Sequence, residues 1–300
     1  MRIGIPKENN KDETRVAVVP ISVPKLMKLG FEVVLEKGAG ENSGYLDSEY
    51  EEKGAKIASL EDVMKSELVA SIDVPKFDMM TKGQMLACVA DPFRNLEQTR
   101  KIIGAGITLL SLEVIPRRLS KGQSMDVNSS QDNLSGYKAA LMGSQHIAKM
   151  VPMMMTSAGT VRPAKFVIQG AAVAGLQAIA TAKRLGAAVQ AIDVRLAAKQ
   201  DTESLGAKFI DVPGWKDAES SSGHASLFTD KDLQNAFDNS LMDAVKDADV
   251  VITTARLFGA NAPKLFFGKD NNERMTKEMK EGSVIVDMNT DTGGNIVGSK

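Results

Sequence analysis

The sequence predicts an α/β protein made of two doubly wound parallel-sheet domains joined by a long helix. Three observations predict it: short apolar runs alternate with helical patterns in both halves, a glycine turn sits between a strand and a helix near residue 170, and one long helical periodicity separates the two regions.

The elements follow in order. In the first half, Arg2 to Ile5, Glu32 to Leu35, Leu68 to Ile72, Met85 to Val89 and Thr108 to Leu110 are expected as strands. Ser22 to Leu29, Leu60 to Lys65 and Leu96 to Ile103 are expected as helices, with Gly30, Gly54 and Gly106 at the helix-to-strand turns. These form an N-terminal α/β domain over 1–131. The small, polar stretch Ser120 to Asn128 reads as a loop. A helical pattern from Asp132 to Met150 follows, with Leu134, Ala139, Met142 and Ile147 among its apolar positions, inside a linker segment over 132–162. The second domain, 163–300, adds strands at Phe166 to Ile168, Val189 to Ile192, Lys208 to Ile210, Asp249 to Thr253 and Ser283 to Asp287. Pro213 to Thr229, which carries Trp215 and His224, reads as a surface loop.

Composition narrows the function classes. A chain of 300 residues has room for two domains with real cores. With 37 basic and 38 acidic residues the net charge is −1, which gives no electrostatic case for nucleic acid or an anionic membrane. The single cysteine, Cys88, lies in an apolar run and reads as a buried structural thiol. Met1 leads straight into the first strand, without the pattern of a signal peptide. The most apolar stretch, Phe166 to Ala182, contains Gln169 and Gln177 and is explained by the glycine motif, so no membrane insertion is expected. Met153 to Met155 are expected in core packing or an interdomain seam.

Lys165 to Arg195 carries the chemistry. Strand, turn, helix, second strand and terminal acid follow in the order of a Rossmann-like dinucleotide cradle. Gly170 permits the sharp turn, Gly175 lets the helix press on the sheet, and the first helical turn at Val173 and Ala174 offers N–H groups and positive dipole to a pyrophosphate. Asp193, at the tip of the second strand, accepts ribose hydroxyls and repels a 2′-phosphate, which favours NAD over NADP. Ala172 stands where the pattern G-x-G-x-x-G/A has its middle glycine, and its methyl is expected to weaken binding or move the phosphates outward. The bland alternative is a βαβ unit whose small residues serve only helix packing.

Longer strings carry a resemblance. Ile5 to Glu8 with Arg15 to Ala17, Gln123 to Asp126, Asn133 to Tyr137, Met153 to Thr160, Val173 to Gly186, Asp193 to Arg195, Ile252 to Ala255 and Gly293 to Asn295 together resemble the NAD(H)-binding component, domain I or alpha subunit, of proton-translocating NAD(P) transhydrogenase. The chain is similar, more distantly, to alanine dehydrogenase. The resemblance implies hydride transfer between NAD(H) here and NADP(H) on a partner domain, membrane-spanning and NADP-binding partner components, and a homodimer. It also implies a place on the cytoplasmic side of a bacterial inner membrane or on an organelle matrix side. It implies that Gln123, Asp126, Ser129 and an arginine hold the nicotinamide end; spacing to Gln123 selects Arg118, adjacency to Pro116 selects Arg117. Val194 and Arg195 are implied beside the ribose, and Gly223 and His224 in a loop over the nucleotide. Ala255 and Arg256 are implied near the adenine, ribose or diphosphate, with Arg256 in a place where the family commonly has leucine.

Two rival functions remain. Alanine dehydrogenase chemistry requires an acid/base group and a cation for the substrate carboxylate. Arg15 matches the cation, but Ala70 to Pro75 has no lysine, and Val89 stands where that family has histidine. A catalytically silent NAD-binding module is the other rival, on the strength of Ala172, the shifted arginine and a chain that ends soon after Asn295, as a short form or a fragment.

Overall fold

The computed structural model describes residues 1–115, 122–215, 217, 230–257, 259–264 and 269–299. The chain divides into two compact units, Met1–Val127 and Asn128–Lys300.

In the first unit, β1 (Arg2–Ile5), α1 (Val23–Lys28), β2 (Glu32–Glu36), α2 (Asp47–Glu52), β3 (Lys56–Ala58), α3 (Leu60–Met64), β4 (Leu68–Ala70), β5 (Met85–Cys88), α4 (Leu96–Gly104) and β6 (Thr108–Ser111) follow in sequence. The sheet order is β3-β2-β1-β4-β5-β6, and every pairing is parallel. This is the doubly wound order, with its reversal between β1 and β4. Its core divides into two clusters, one around Ile5, Leu35 and Tyr50, the other around Met64, Leu86 and Ile102. Tyr50 is fully buried and keeps its polar end satisfied by donating to the Val18 carbonyl at 3.0 Å. Cys88 is buried, and burial foremost pushes its thiol up to about 12, as an inert structural thiol requires.

The second unit opens with α5 (Val127–His146), followed by a hairpin, β7 (Met154–Thr156) with β8 (Gly159–Val161). Then come β9 (Lys165–Gln169), α6 (Val173–Arg184), β10 (Ala188–Ile192), α7 (Ala197–Ser204), β11 (Lys208–Phe209), α8 (Lys231–Val245), β12 (Val250–Thr253), α9 (Lys269–Glu278) and β13 (Val284–Asp287). The sheet order β11-β10-β9-β12-β13 is again parallel and reverses between β9 and β12. Successive residues of β9 serve opposite faces: Phe166 and Ile168 pack with Ala178, Ile179 and Ala182 of α6, while Val167 packs with Phe237, Leu241 and Val245 of α8. A strand covered on both sides reads as a continuous apolar run.

Three sequence expectations change. The long helix runs from Val127 to His146, earlier at both ends than the apolar pattern over Asp132 to Met150 suggests, because its buried stripe is Gly136, Ala139, Ala140 and Gly143. Leu134 and Met142, the large residues in that pattern, are 60% and 40% exposed. Small residues are needed because a Cβ on Gly136 would lie 2.0 Å from the Ala174 carbonyl oxygen. Beyond the helix, Lys149 Nζ meets Asp249 Oδ2 at 3.0 Å, an oxygen that also accepts the Lys165 N–H at 2.7 Å. Met153, Met154 and Met155 are exposed on the hairpin rather than in a core, with Met155 at 76%. The hairpin, α2 and edge strand β3 were not legible as elements, being short and largely polar or exposed.

Candidate functional site

The site is built where β9 gives way to α6. Gly170 has φ +91° and donates its N–H to the Ile192 carbonyl at 2.8 Å, which turns the chain sharply at the strand end. Across the switch point, the Thr254 hydroxyl lies 3.0 Å from the Gly170 carbonyl oxygen and 3.2 Å from that of Gln169. A Cβ on Gly175 would stand 1.8 Å from the Gly170 oxygen, so only glycine lets the first turn of α6 seat against this strand end. Ala172 is the N-cap, in an extended conformation (φ −85°, ψ −163°) that any residue adopts, and it is exposed. It supplies no side-chain cap. The N–H groups of Val173, Ala174 and Gly175 therefore open the helix at an end fitted for an anion, where dipole and donors act together.

Asp193 follows β10 and is only 4% exposed. Its Oδ2 accepts the Ala171 N–H at 2.7 Å and Arg195 Nη2 at 3.1 Å; its Oδ1 accepts the Arg195 N–H at 2.8 Å and Arg195 Nε at 3.1 Å. Both oxygens thus hold two donors each, the full complement of a carboxylate. Val194 accepts from Trp215 Nε1 at 3.2 Å, and the Trp215 ring stacks on Phe209 with centroids 5.1 Å apart.

The far wall is a polar network. The Ala255 carbonyl accepts from Asn289 Nδ2 at 3.1 Å and Asn295 Nδ2 at 2.8 Å, and the two amides bond to each other at 2.8 Å. Both asparagines are buried, so these bonds are needed to offset their desolvation. Asp287 Oδ2 accepts the Asn295 and Ile296 N–H groups at 2.7 and 3.0 Å and the Ser299 hydroxyl at 2.7 Å. Burial works to raise the Asp287 carboxyl, but these donors outweigh it and hold it below the usual carboxylate range. Arg256 Nη2 pairs with Asp291 at 3.2 Å on the surface.

The second unit therefore brings together Gly170, Ala172, Val173, Ala174, Gly175, Asp193, Val194, Arg195 and Ala255 around one switch point, with Arg256 at its edge. Ser129 lies in the first turn of α5, also in this unit. Gln123 begins a short 3-10 turn, exposed, and Asp126 follows it; both belong to the first unit. Arg117, Arg118, Gly223 and His224 lie outside the described residues. Sequence reasoning missed Thr254, Asn289 and Trp215 as site-forming residues; the threonine pair at a strand end was the one available signal.

The first unit has its own switch point, and there the Glu8 carboxylate accepts the N–H groups of Ile72 at 2.7 Å and Asp73 at 3.1 Å. Burial foremost raises its pKa, against the lowering by these backbone donors. Arg15 Nε is held by Glu13 Oε1 at 2.8 Å, and Val89 is exposed just beyond β5. An amino-acid carboxylate would have to compete with Glu13 for that guanidinium.

Comparison with known proteins decides the family. Residues 4–135 match the alanine dehydrogenase/PNT N-terminal domain, and residues 139–300 match the C-terminal domain. The chain belongs to the alanine dehydrogenase/PNT family. Among relatives of this family member, an NAD(P) transhydrogenase subunit alpha polypeptide of Rhodospirillum rubrum is 41% identical over 98% of the chain and 78% of the relative. An alanine dehydrogenase of Methanococcus maripaludis is 30% identical over 99% of the chain and 74% of the relative. The solved transhydrogenase from Sinorhizobium meliloti superposes with a TM-score of 0.86 at 39% identity, covering 100% of this chain and 82% of that one. Membership in the alanine dehydrogenase/PNT family and the paired parallel-sheet fold agree with the sequence reading.

Proposed function

We propose that this chain is the NAD(H)-binding component of a proton-translocating NAD(P) transhydrogenase, passing hydride between NAD(H) on its second unit and NADP(H) on a partner domain. The observation that carries the proposal is the cradle at the β9–β12 switch point: a glycine turn, an uncapped helix N-terminus and a buried acid at the next strand end. The residues fit the dinucleotide. Gly170 and Gly175 leave a close backbone approach that a Cβ would fill, and the α6 amides face the place a pyrophosphate takes in such cradles.

When bound, the nicotinamide supplies the hydride, so the chain itself needs no acid or base and acts by alignment. Val173, Ala174 and Gly175 hold the phosphates, Asp193 with Val194 and Arg195 the adenosine ribose, and Ala255 and Arg256 the adjoining wall. Arg118 or Arg117, Gln123, Asp126 and Ser129 hold the nicotinamide end, and Gly223 and His224 close over the nucleotide. The partners are membrane-spanning and NADP-binding components and a second copy of this chain, on the cytoplasmic side of a bacterial inner membrane or an organelle matrix side. Among the described residues no helix is long and apolar enough to cross a membrane, which is consistent with a separate membrane component. The exposed methionines of the β7–β8 hairpin support the homodimer.

The test is to mix the chain with a purified NADP-binding component and follow reduction of an NAD analogue by NADPH. Transfer supports the proposal. NADH binding without transfer leaves a silent NAD-binding module. Consumption of alanine with NAD would establish the second reading, which the alanine dehydrogenase relative favours and the Arg15–Glu13 pair opposes.

A further inference from the structure

The four donors on Asp193 are of two kinds. The N–H groups of Ala171 and Arg195 belong to the backbone of the turn and the strand end. Nε and Nη2 of Arg195 belong to a side chain that can rotate away, one on each oxygen at 3.1 Å. A ribose 2′,3′-diol offers two hydroxyl donors, the number the guanidinium supplies. Exchanging one set for the other leaves no carboxylate oxygen short of a partner, and a buried acid demands this.

We propose that Arg195 is a specificity-determining residue, whose guanidinium occupies the diol's positions on Asp193 and tempers the acid's discrimination against a 2′-phosphate. The proposal rests on the second unit being a dinucleotide seat. Asp193 alone would repel the 2′-phosphate of NADP(H). The Asp193–Arg195 pair carries no net charge. An arginine displaced by the diol stays tethered two residues away, within reach of the ribose edge, and a guanidinium there pairs with phosphate through charge-assisted bonds. Arg195 therefore acts in opposite directions on the two nucleotides: it competes with the bare diol of NAD(H) and compensates the phosphate of NADP(H).

The experiment is calorimetric titration of NADH and NADPH into the full chain and its Arg195→Ala and Arg195→Lys variants. Arg195→Ala should weaken NADPH about tenfold, the ratio equivalent to about 1.4 kcal/mol for one charge-assisted bond, while NADH binds as tightly as before or more so. Lysine keeps the charge but not the two-pronged fork, so it should retain more NADPH affinity than alanine. Equal weakening of both nucleotides by Arg195→Ala, or a preference for NADH that shrinks, overturns the proposal. Should the alanine variant fail to fold, Arg195→Lys decides alone: NADH binding weaker than in the unaltered protein refutes the competition. If the unaltered protein binds neither nucleotide, the dinucleotide seat itself is refuted, and the role of Arg195 falls with it.

Discussion

A single methyl group at Gly175 tests whether the seat depends on helix α6 touching the end of β9. The added Cβ would lie 1.8 Å from the Gly170 carbonyl oxygen, and the obstacle is backbone, with no flexible side-chain end to swing aside. Helix and strand would have to separate by roughly 1 Å, loosening Ala178 and Ile179 against Phe166 and Ile168. Overpacking of this kind costs about 3 kcal/mol at its upper end, and the better helix propensity of alanine offsets about 1 kcal/mol. The expected net loss is about 2 kcal/mol, or a fall of about 1 M in the urea midpoint at a slope of roughly 2 kcal/mol/M. Trp215, the only tryptophan, lies in the second unit, so its fluorescence follows the unit that carries the change. Gly104 provides the control. It ends α4, and a Cβ there meets nothing within 4 Å, so Gly104→Ala should leave stability unchanged or raise it by up to ~1 kcal/mol. An unchanged midpoint for Gly175→Ala, with NADH binding intact, would refute the close-approach argument.

Other predictions address other parts of the molecule. Ala172→Gly removes an exposed methyl from the N-cap without altering any required backbone conformation, so it should tighten NADH; an unchanged dissociation constant in calorimetry would show that the methyl does not crowd the phosphates. Asp287 is held below its ordinary value of 3.8, so its stabilising contribution is present above pH 3.8 and lost as pH falls through the lower folded value. Asp287→Asn should flatten that acid limb in thermal melts taken across pH, and an unaltered limb would count against the network. Met155→Asp, on the exposed hairpin, should shift sedimentation from dimer toward monomer while NADH affinity holds; a monomeric unaltered protein would remove the hairpin's assigned role. Thr254→Val keeps shape but removes the hydroxyl bound to the turn carbonyls, and should cost about 1 kcal/mol with a measurable loss of NADH affinity.

The parallel strands were legible because burial on both faces turns them into apolar runs, as at Phe166 to Ile168 and Val189 to Ile192. The turn and acid were legible because their spacing follows from backbone geometry. Helix α5 was misread in register for a physical reason: its buried stripe is glycine and alanine, chosen for close approach, while its larger apolar residues face outward. A hydrophobicity pattern weights the wrong side. The partners of Asp193 were hidden for another reason. Arg195 stands two residues away and was visible as a cation, but nothing in the order of residues says that its guanidinium folds back onto the carboxylate. Asn289 and Asn295 meet Ala255 only through the packing of β12 beside β13, a contact across more than thirty positions of chain.

The stacked Trp215 and Phe209 give the protein an optical property of its own. Because the indole N–H is bonded to the Val194 carbonyl, the sole tryptophan is wired to the strand end that carries Asp193 and Arg195. Any rearrangement of that strand end alters the polarity around one fluorophore, against no background from others. Exchange of donors at the ribose seat should thus be visible in intrinsic emission on the time scale at which it occurs, in the unlabelled chain.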